Sequence, residues 1–192
     1  MDTSKLEKYD LIYPGHWISG SDRDWEFETF HLLSLAEAEF ICAVASCSVF
    51  EPITMNNVES IRNKSKYSRS LNNACAKEFV YSLDAILKIL KVLSKQPNIP
   101  DTVLNLISQY KASFCNLKHI RDSIAHIEDR GRALDKDKKG IASTLIILGT
   151  INKSRFEYTA SDGNCYGVDI SEATLLSAHT ILQAIINAFN WE

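Results

Sequence analysis

The chain lacks any Cys-x-x-Cys pair, and its five cysteines, Cys42, Cys47, Cys75, Cys115 and Cys165, are scattered singly, which argues against a thiolate zinc site. An odd, scattered set is what a reduced cytoplasmic protein tolerates, with buried thiols acting as small hydrophobes. Four prolines among 192 residues leave little room for disordered or low-complexity sequence. No glycine-rich phosphate loop is present, which removes the common nucleotide-hydrolase folds, and no nucleophile elbow marks a serine or cysteine hydrolase. The longest apolar run, residues 41–50, is about half the length that a bilayer span needs. The first residues, MDTSKLEKYDLIYPGHW, hold no apolar core before a cleavage site and do not read as a signal peptide, so the expected location is cytoplasmic. Positive charge is not in excess either. With a formal net charge of −3, any contact with nucleic acid must come from a local patch and not from the field of the whole protein.

What is present is an ordinary globular balance, 45% hydrophobic and 23% charged, in a chain long enough to form one domain and bury roughly 70% of its unfolded surface. Residues 1–21, with Pro14, Gly15 and Gly20, read as an irregular lead-in that straps across the body. Asp22 or Asp24 can cap a first long helix running to about Phe50, before Pro52, with Phe30, Leu33, Phe40, Ile41, Val44 and Val49 on its buried face. Residues 51–69 read as a short helix or turn and a polar loop. A second long helix starts near Ser70, carries Phe79, Leu83, Ile86, Leu87, Leu90 and Leu93, and stops at Gln96-Pro97. Asp101 can cap a third, whose apolar positions Val103, Leu106, Ile107, Tyr110, Phe114 and Leu117 lead on to an end near Gly131, followed by the exposed loop DKDKKG.

The period then changes. Thr144–Ile151, Arg155–Thr159 and Tyr166–Ile170 are β-branched or aromatic runs, divided by Asn152-Lys153 and by Ser161-Asp162-Gly163-Asn164; they predict a small antiparallel meander whose edges need cover from helices or a second subunit. Ser171 and Glu172 open a last helix with an apolar stripe through Leu175, Leu176, Ile181, Leu182, Ile185, Ile186 and Phe189. The expected fold is mainly α, a bundle of about four long helices with a small antiparallel β-meander inserted before the last helix. It forms a single domain over residues 1–192, with the β insertion at 144–170.

Chemistry concentrates in Leu117 to Arg132, LKHIRDSIAHIEDRGR. Within it, Arg121-Asp122-Ser123-Ile124-Ala125-His126 is an arginine, a polar residue, three others and a histidine. The pattern resembles the signature of the HEPN superfamily, whose catalytic members are metal-independent ribonucleases. The resemblance covers the helical bundle in general form and, in specific residues, this one segment. It implies that Arg121, Asp122 and His126 are the motif's arginine, polar residue and histidine. It also implies a homodimer that brings two motifs into one cleft, with no cofactor. Some family members carry a tyrosine two residues after the histidine, which a nucleotidyltransferase antitoxin modifies. Here that position is Glu128, which puts this form of regulation in doubt and leaves any neutralising partner unknown.

Each residue type suits such chemistry. Imidazole titrates near neutrality, so His126 can move a proton at the ribose 2′-hydroxyl or the leaving 5′-oxygen. A guanidinium stays charged and matches two phosphate oxygens, so Arg121 can hold charge on the phosphorane. Asp122, four residues before His126, lies on the same helix face and can orient the ring. A spacing of five sets Arg121 and His126 roughly 140° apart on an ideal helix, so either the arginine curls back or two subunits face each other. Arg130 and Arg132 can contact phosphate. So can the basic cluster Arg62, Lys64, Lys66 and Arg69, with Tyr67 among them to stack a base.

Plainer readings stand beside these. Alternating charges near a helix C-terminus are commonly a solvated face, which Arg130 and Arg132 suit through the helix dipole, and the basic cluster fits a solvated interhelical loop. A metal set of His119, Asp122 and His126 shares one helix side but needs ligands from Glu37, Glu39 or Asp84, and no Glu-x-x-His pair appears. His16, Trp17 and His31 read as packing or surface residues, and His179 as a core or interface histidine. The functional expectation is a metal-independent endoribonuclease of the toxin or anti-phage defence kind. The alternative is a non-catalytic HEPN-like module that binds a nucleotide, RNA or protein partner.

Overall fold

The computed structural model describes residues 4–20, 22–50, 66–141 and 145–192. The protein is mainly helical with one small sheet, as the periodicities predict. A 3-10 turn at Ser4–Tyr9 precedes α1 (Arg23–Val49), α2 (Lys66–Leu93), α3 (Asp101–Ser113), α4 (Leu117–Ala125) and α5 (Ile127–Gly131). Strands β1 (Leu148–Asn152), β2 (Arg155–Thr159) and β3 (Cys165–Asp169) follow, and α6 (Glu172–Asn187) closes the chain. Two compact units divide these elements: residues 1–45, 82–115 and 172–192 form the first, and 46–81 with 116–171 the second.

In the first unit, α1 starts where Asp22 Oδ1 accepts the Asp24 N–H at 2.9 Å, an N-cap that satisfies one of the orphan donors of the first turn. Leu33, Phe40 and Val44 are buried on its face. Ile41 is 59% exposed, against expectation, because at residue 41 the helix has turned past the buried stripe of 33, 36, 40, 43 and 44. Among the described residues α1 is the helix long and apolar enough to cross a membrane by length and composition, which a core helix also satisfies. Every apolar position expected on the second helix, from Phe79 to Leu93, is buried; the helix is already formed at Lys66, a turn earlier than Ser70.

The cap of α3 is Pro100, without a side-chain bond. Asp101 is instead the first helical residue, where its charge complements the helix dipole. Packed with α3 is α6, whose Leu175, Ile181, Leu182, Ile185 and Ile186 are buried while Leu176 is not. The lead-in does strap over this unit. The His16 N–H donates to the Glu192 carbonyl at 2.8 Å, the Ser19 N–H donates to the Asn190 carbonyl at 2.8 Å, and Ile18 bridges Trp191.

The second unit holds the meander, in order β1-β2-β3 and antiparallel throughout. β2 falls where the sequence places it, while β1 begins at Leu148 and β3 at Cys165. Asp162 Oδ1 accepts the Asn164 N–H at 3.0 Å in the second turn, where Gly163 takes φ 82°. The β1–β2 pairing slips by a residue between Leu148 and Thr150. Gly149 forms this bulge at φ 71°, a conformation that glycine adopts without the clash other residues meet. Asn73 Nδ2 donates to the Gly149 carbonyl at 2.9 Å and ties α2 to the bulge.

One helix expected to run from Asp101 to about Gly131 is three. It stops at Phe114 (φ −118°, ψ 40°), restarts at Leu117, and breaks again at His126 (φ −117°, ψ 40°). No proline or glycine sits at either break. The cause is tertiary: α4 buries Leu117, Ile120 and Ile124 and packs on β2 and β3, and α5 packs on β1. Asn116 Nδ2 reaches the Gly167 carbonyl at 3.4 Å. The cysteines differ too. Only Cys75 is buried; Cys42 on α1, Cys165 on β3 and Cys115 in the turn between α3 and α4 are exposed.

Gly149→Ala tests the bulge. A Cβ there would lie 2.7 Å from the Tyr158 hydroxyl in a left-handed conformation, a strain of about 1–2 kcal/mol before the clash. A melting temperature lower by about 2–8 °C is expected, while Gly140→Ala, with nothing within 4 Å, should melt like wild type. Equal melting of the two variants would count against the bulge as a constraint.

Candidate functional site

The site grows from the buried stripe of α4. Leu117, Ile120 and Ile124 face inward, so Arg121 comes to the edge of that stripe, with 21% of its side chain exposed, and Asp122 is further out at 45%. Arg121 Nε and Nη2 both donate to Asp122 Oδ1, at 3.0 and 2.5 Å. The expectation that Asp122 orients the His126 ring is therefore corrected: its carboxylate lies on Arg121, and among the described residues no hydrogen bond or ion pair joins it to the imidazole. The physical reason is the break at His126. Its N–H still donates to the Asp122 carbonyl at 3.1 Å, but φ −117° turns its Cα–Cβ bond away from the direction a helical residue takes, and ψ 40° redirects the chain beyond it.

His126 is exposed at the joint between α4 and α5, where its carbonyl accepts the N–H groups of Asp129 and Arg130 at 3.2 and 3.0 Å. Its neighbours are Glu128 and Asp129: one ring nitrogen and one carboxylate oxygen of each all lie within 4.8 Å of one another. An exposed imidazole is a side chain suited to proton transfer. The change in backbone direction falls at His126 itself, five residues beyond Arg121.

The loop after α5 serves this cluster, which the sequence did not announce. In residues 135–140, Asp135 Oδ1 accepts the N–H groups of Asp137 and Lys139, each at 2.8 Å, and Leu134 bridges Gly140. Lys138, held at φ 62°, reaches back to Asp129 Oδ2. Asp129 is only 6% exposed in its side chain, and the hydrogen bond from Lys138 holds its carboxyl below the usual carboxylate range, with the nearby charges of Lys138, Arg132 and His126 adding to the effect. A positive-φ lysine in a lysine-rich run gives no signal in sequence; only the fold aims it.

The remaining sequence candidates separate. Arg130 is 2% exposed and its Nη1 donates to the Leu134 carbonyl, so its guanidinium braces the end of α5 from inside and does not face a phosphate. Arg132 is exposed beside it. The set His119, Asp122 and His126 is not assembled, because the His119 ring stacks on Tyr166, 4.1 Å between centroids and 7° between planes. The Asp162 carboxylate in turn accepts the Tyr166 hydroxyl at 2.7 Å and holds that phenol above its ordinary range. The donors that do converge, His126, Glu128 and Asp129, are a poor cation site, since the Lys138 ammonium already occupies Asp129 Oδ2. Lys66 and Tyr67 are exposed at the start of α2 with the ammonium 5.3 Å from the ring centroid; Arg62 and Lys64 lie outside the described residues.

In the other unit, the lone residues have packing roles. Trp17 stacks on Phe30 at 5.4 Å and donates to Glu26 Oε2 at 3.2 Å. His31 stacks on Phe27, and His179 Nε2 lies 3.2 Å from the Asp10 carbonyl. Compared with family models, curated proteins and solved structures, the chain matches none.

The pH dependence of stability follows from the Asp129–Lys138 pair. A carboxyl lowered by folding stabilises fully above its ordinary value of about 4, and that stabilisation is lost as pH falls through the lowered folded value. Lys138→Met should be less stable than wild type at pH 7 and should converge on it under acid, measured by urea denaturation at pH 7, 5, 4 and 3. A stability gap that persists unchanged at pH 3 would place the effect of Lys138 elsewhere.

Proposed function

We propose that this protein is a metal-independent endoribonuclease of the HEPN kind, a helical bundle that works in the cytoplasm as a homodimer in a toxin or anti-phage defence role. The observation that carries the reading is the break at His126. It leaves an exposed imidazole beside Glu128 and Asp129 at the end of the helix that presents Arg121. The mainly helical fold with its small sheet inserted before the last helix is compatible with that family.

In this mechanism His126 accepts the proton of a ribose 2′-hydroxyl as the oxygen attacks the adjacent phosphorus. Breaking the bond to the 5′-oxygen then requires a proton for the leaving group. A single histidine performs both roles in succession, whereas two copies in a dimer cleft divide them. Arg121 neutralises the phosphorane oxygens, and Asp122 holds its guanidinium fork in place through Nε and Nη2. Arg132 adds an exposed cation nearby. The products carry 2′,3′-cyclic phosphate and 5′-hydroxyl ends. No cofactor takes part.

A second reading rests on the same ion pair. A guanidinium held by the adjoining carboxylate is partly neutralised before any substrate arrives, which suits a non-catalytic module that binds a nucleotide, RNA or protein partner.

Cleavage of a mixed-sequence RNA in EDTA distinguishes the two. Wild type should cut with chelator present. His126→Ala should lose about 10²–10⁴-fold and Arg121→Ala about 10²–10³-fold, both with unchanged circular dichroism and unchanged mass by light scattering. An inert wild type, or variants that cut as well as it does, would favour the binding module.

A further inference from the structure

Along the first three turns of α2 runs a groove of about 540 Å³, lined by Lys66, Arg69, Ser70, Asn73, Ala74 and Lys77. Among the described residues, three cations and three small or polar side chains form its wall, and no carboxylate does. From residue 66 to residue 77 the helix carries no acid at all. Among the described residues no ion pair engages Lys66, Arg69 or Lys77. In a chain of net charge −3, a stripe of cations that meets no ion pair among the described residues concentrates positive potential along one line.

Its geometry is that of a track. Positions 66, 69, 70, 73, 74 and 77 recur at three and four residues and share one face. Lys66 and Lys77 are separated along the axis by about 16 Å at 1.5 Å per residue. Tyr67, 74% exposed, is seven residues before Ala74 and so flanks the same face one side over. The floor is tied to the sheet, because Asn73 is hydrogen-bonded to the Gly149 carbonyl of the bulge. A row of cations with an exposed ring at one end fits a chain of regularly spaced phosphates whose bases are free to stack.

We infer that this groove binds the phosphate backbone of single-stranded RNA, with Lys66, Arg69 and Lys77 on successive phosphates and Tyr67 stacked on a base. The choice of RNA rests on the proposed nuclease function, whereas the cationic line and the exposed ring are independent of it. The groove and the motif are linked through β1, which meets α2 at Asn73 and Gly149 and packs against α5, the helix that follows His126.

The test is fluorescence anisotropy of a labelled 12-nucleotide single-stranded RNA in EDTA, measured on the full chain with His126→Ala as background so that the strand stays intact. Three phosphate contacts predict a salt slope of about −2 in log K against log salt, at about 0.7 per phosphate for single strands. Lys66→Glu combined with Lys77→Glu should weaken binding at least tenfold at low salt and flatten the slope by more than 1. The milder pair Lys66→Gln and Lys77→Gln, which avoids any cost of reversed charge to folding, should show the same trend. Tyr67→Ala should weaken affinity about tenfold with the slope unchanged.

Loss of affinity without loss of slope in the lysine variants, or unchanged affinity in both, overturns the proposal. So does binding to phosphatidylserine vesicles with the same dependence on Lys66 and Lys77 when RNA is not bound, which would make the stripe a membrane contact. Cleavage measured separately in the otherwise wild-type chain keeps the two proposals apart: the groove variants should raise KM with kcat retained, whereas failure of the nuclease reading leaves the anisotropy result standing.

Discussion

The packing of α4 against β2 and β3 is the contact on which the second unit depends. Leu117 and Ile120 have no exposed surface and Ile124 very little, and burying side chains of this size contributes about 1.5–3 kcal/mol each. That energy is enough to end a helix where no helix-breaking residue stands, since an interior turn lost at Phe114–Asn116 gives up only a few backbone hydrogen bonds of about 1 kcal/mol each. The same packing sets which side of α4 faces outward. Arg121 comes to the edge of the stripe and Asp122 beyond it, and His126 emerges at the next break.

Around that joint the polar groups satisfy one another locally. Arg121 lies on Asp122, Asp129 on Lys138, Arg130 on the Leu134 carbonyl, and His119 on the face of Tyr166. A segment that reads in sequence as one charged helix end therefore divides into inward braces and a small outward set. The outward members are His126, Glu128 and Arg132. The bulge at Gly149 has a comparable role on the other side of β1, where a single left-handed residue lets the Asn73 amide reach a backbone carbonyl and anchor the cationic stretch of α2.

Much of this was legible in the residues. The period-two runs located β2 to the residue and the other strands to within a few, because each is bounded by turn residues, Asn152-Lys153 and Asp162-Gly163-Asn164, whose local bonding needs no distant partner. The heptad-like apolar spacing of α2 named six core residues correctly, since a strongly amphipathic helix has one way to bury its stripe. Other expectations failed where local pattern and tertiary demand diverge. Ile41 reads as core and is exposed; the cysteines read as buried and mostly are not. Arg130 reads as a phosphate ligand and is enclosed. In each case the residue type states a preference, but the angle at which its element meets its neighbours decides the outcome.

The sequence by itself determined the kind of each element, the antiparallel order of the meander and the position of the one segment dense in titratable groups, because propensity, hydrophobic period and turn chemistry all act over a few residues. Only the tertiary structure decided that the third helical stretch is three helices, that Asp122 holds Arg121 and not His126, and that Lys138 lies on Asp129. It also left the acid-free face of Lys66 to Lys77 lining a groove. These outcomes depend on groups distant in sequence or on the path of the backbone between them, and no local pattern encodes the contact energies that settle them.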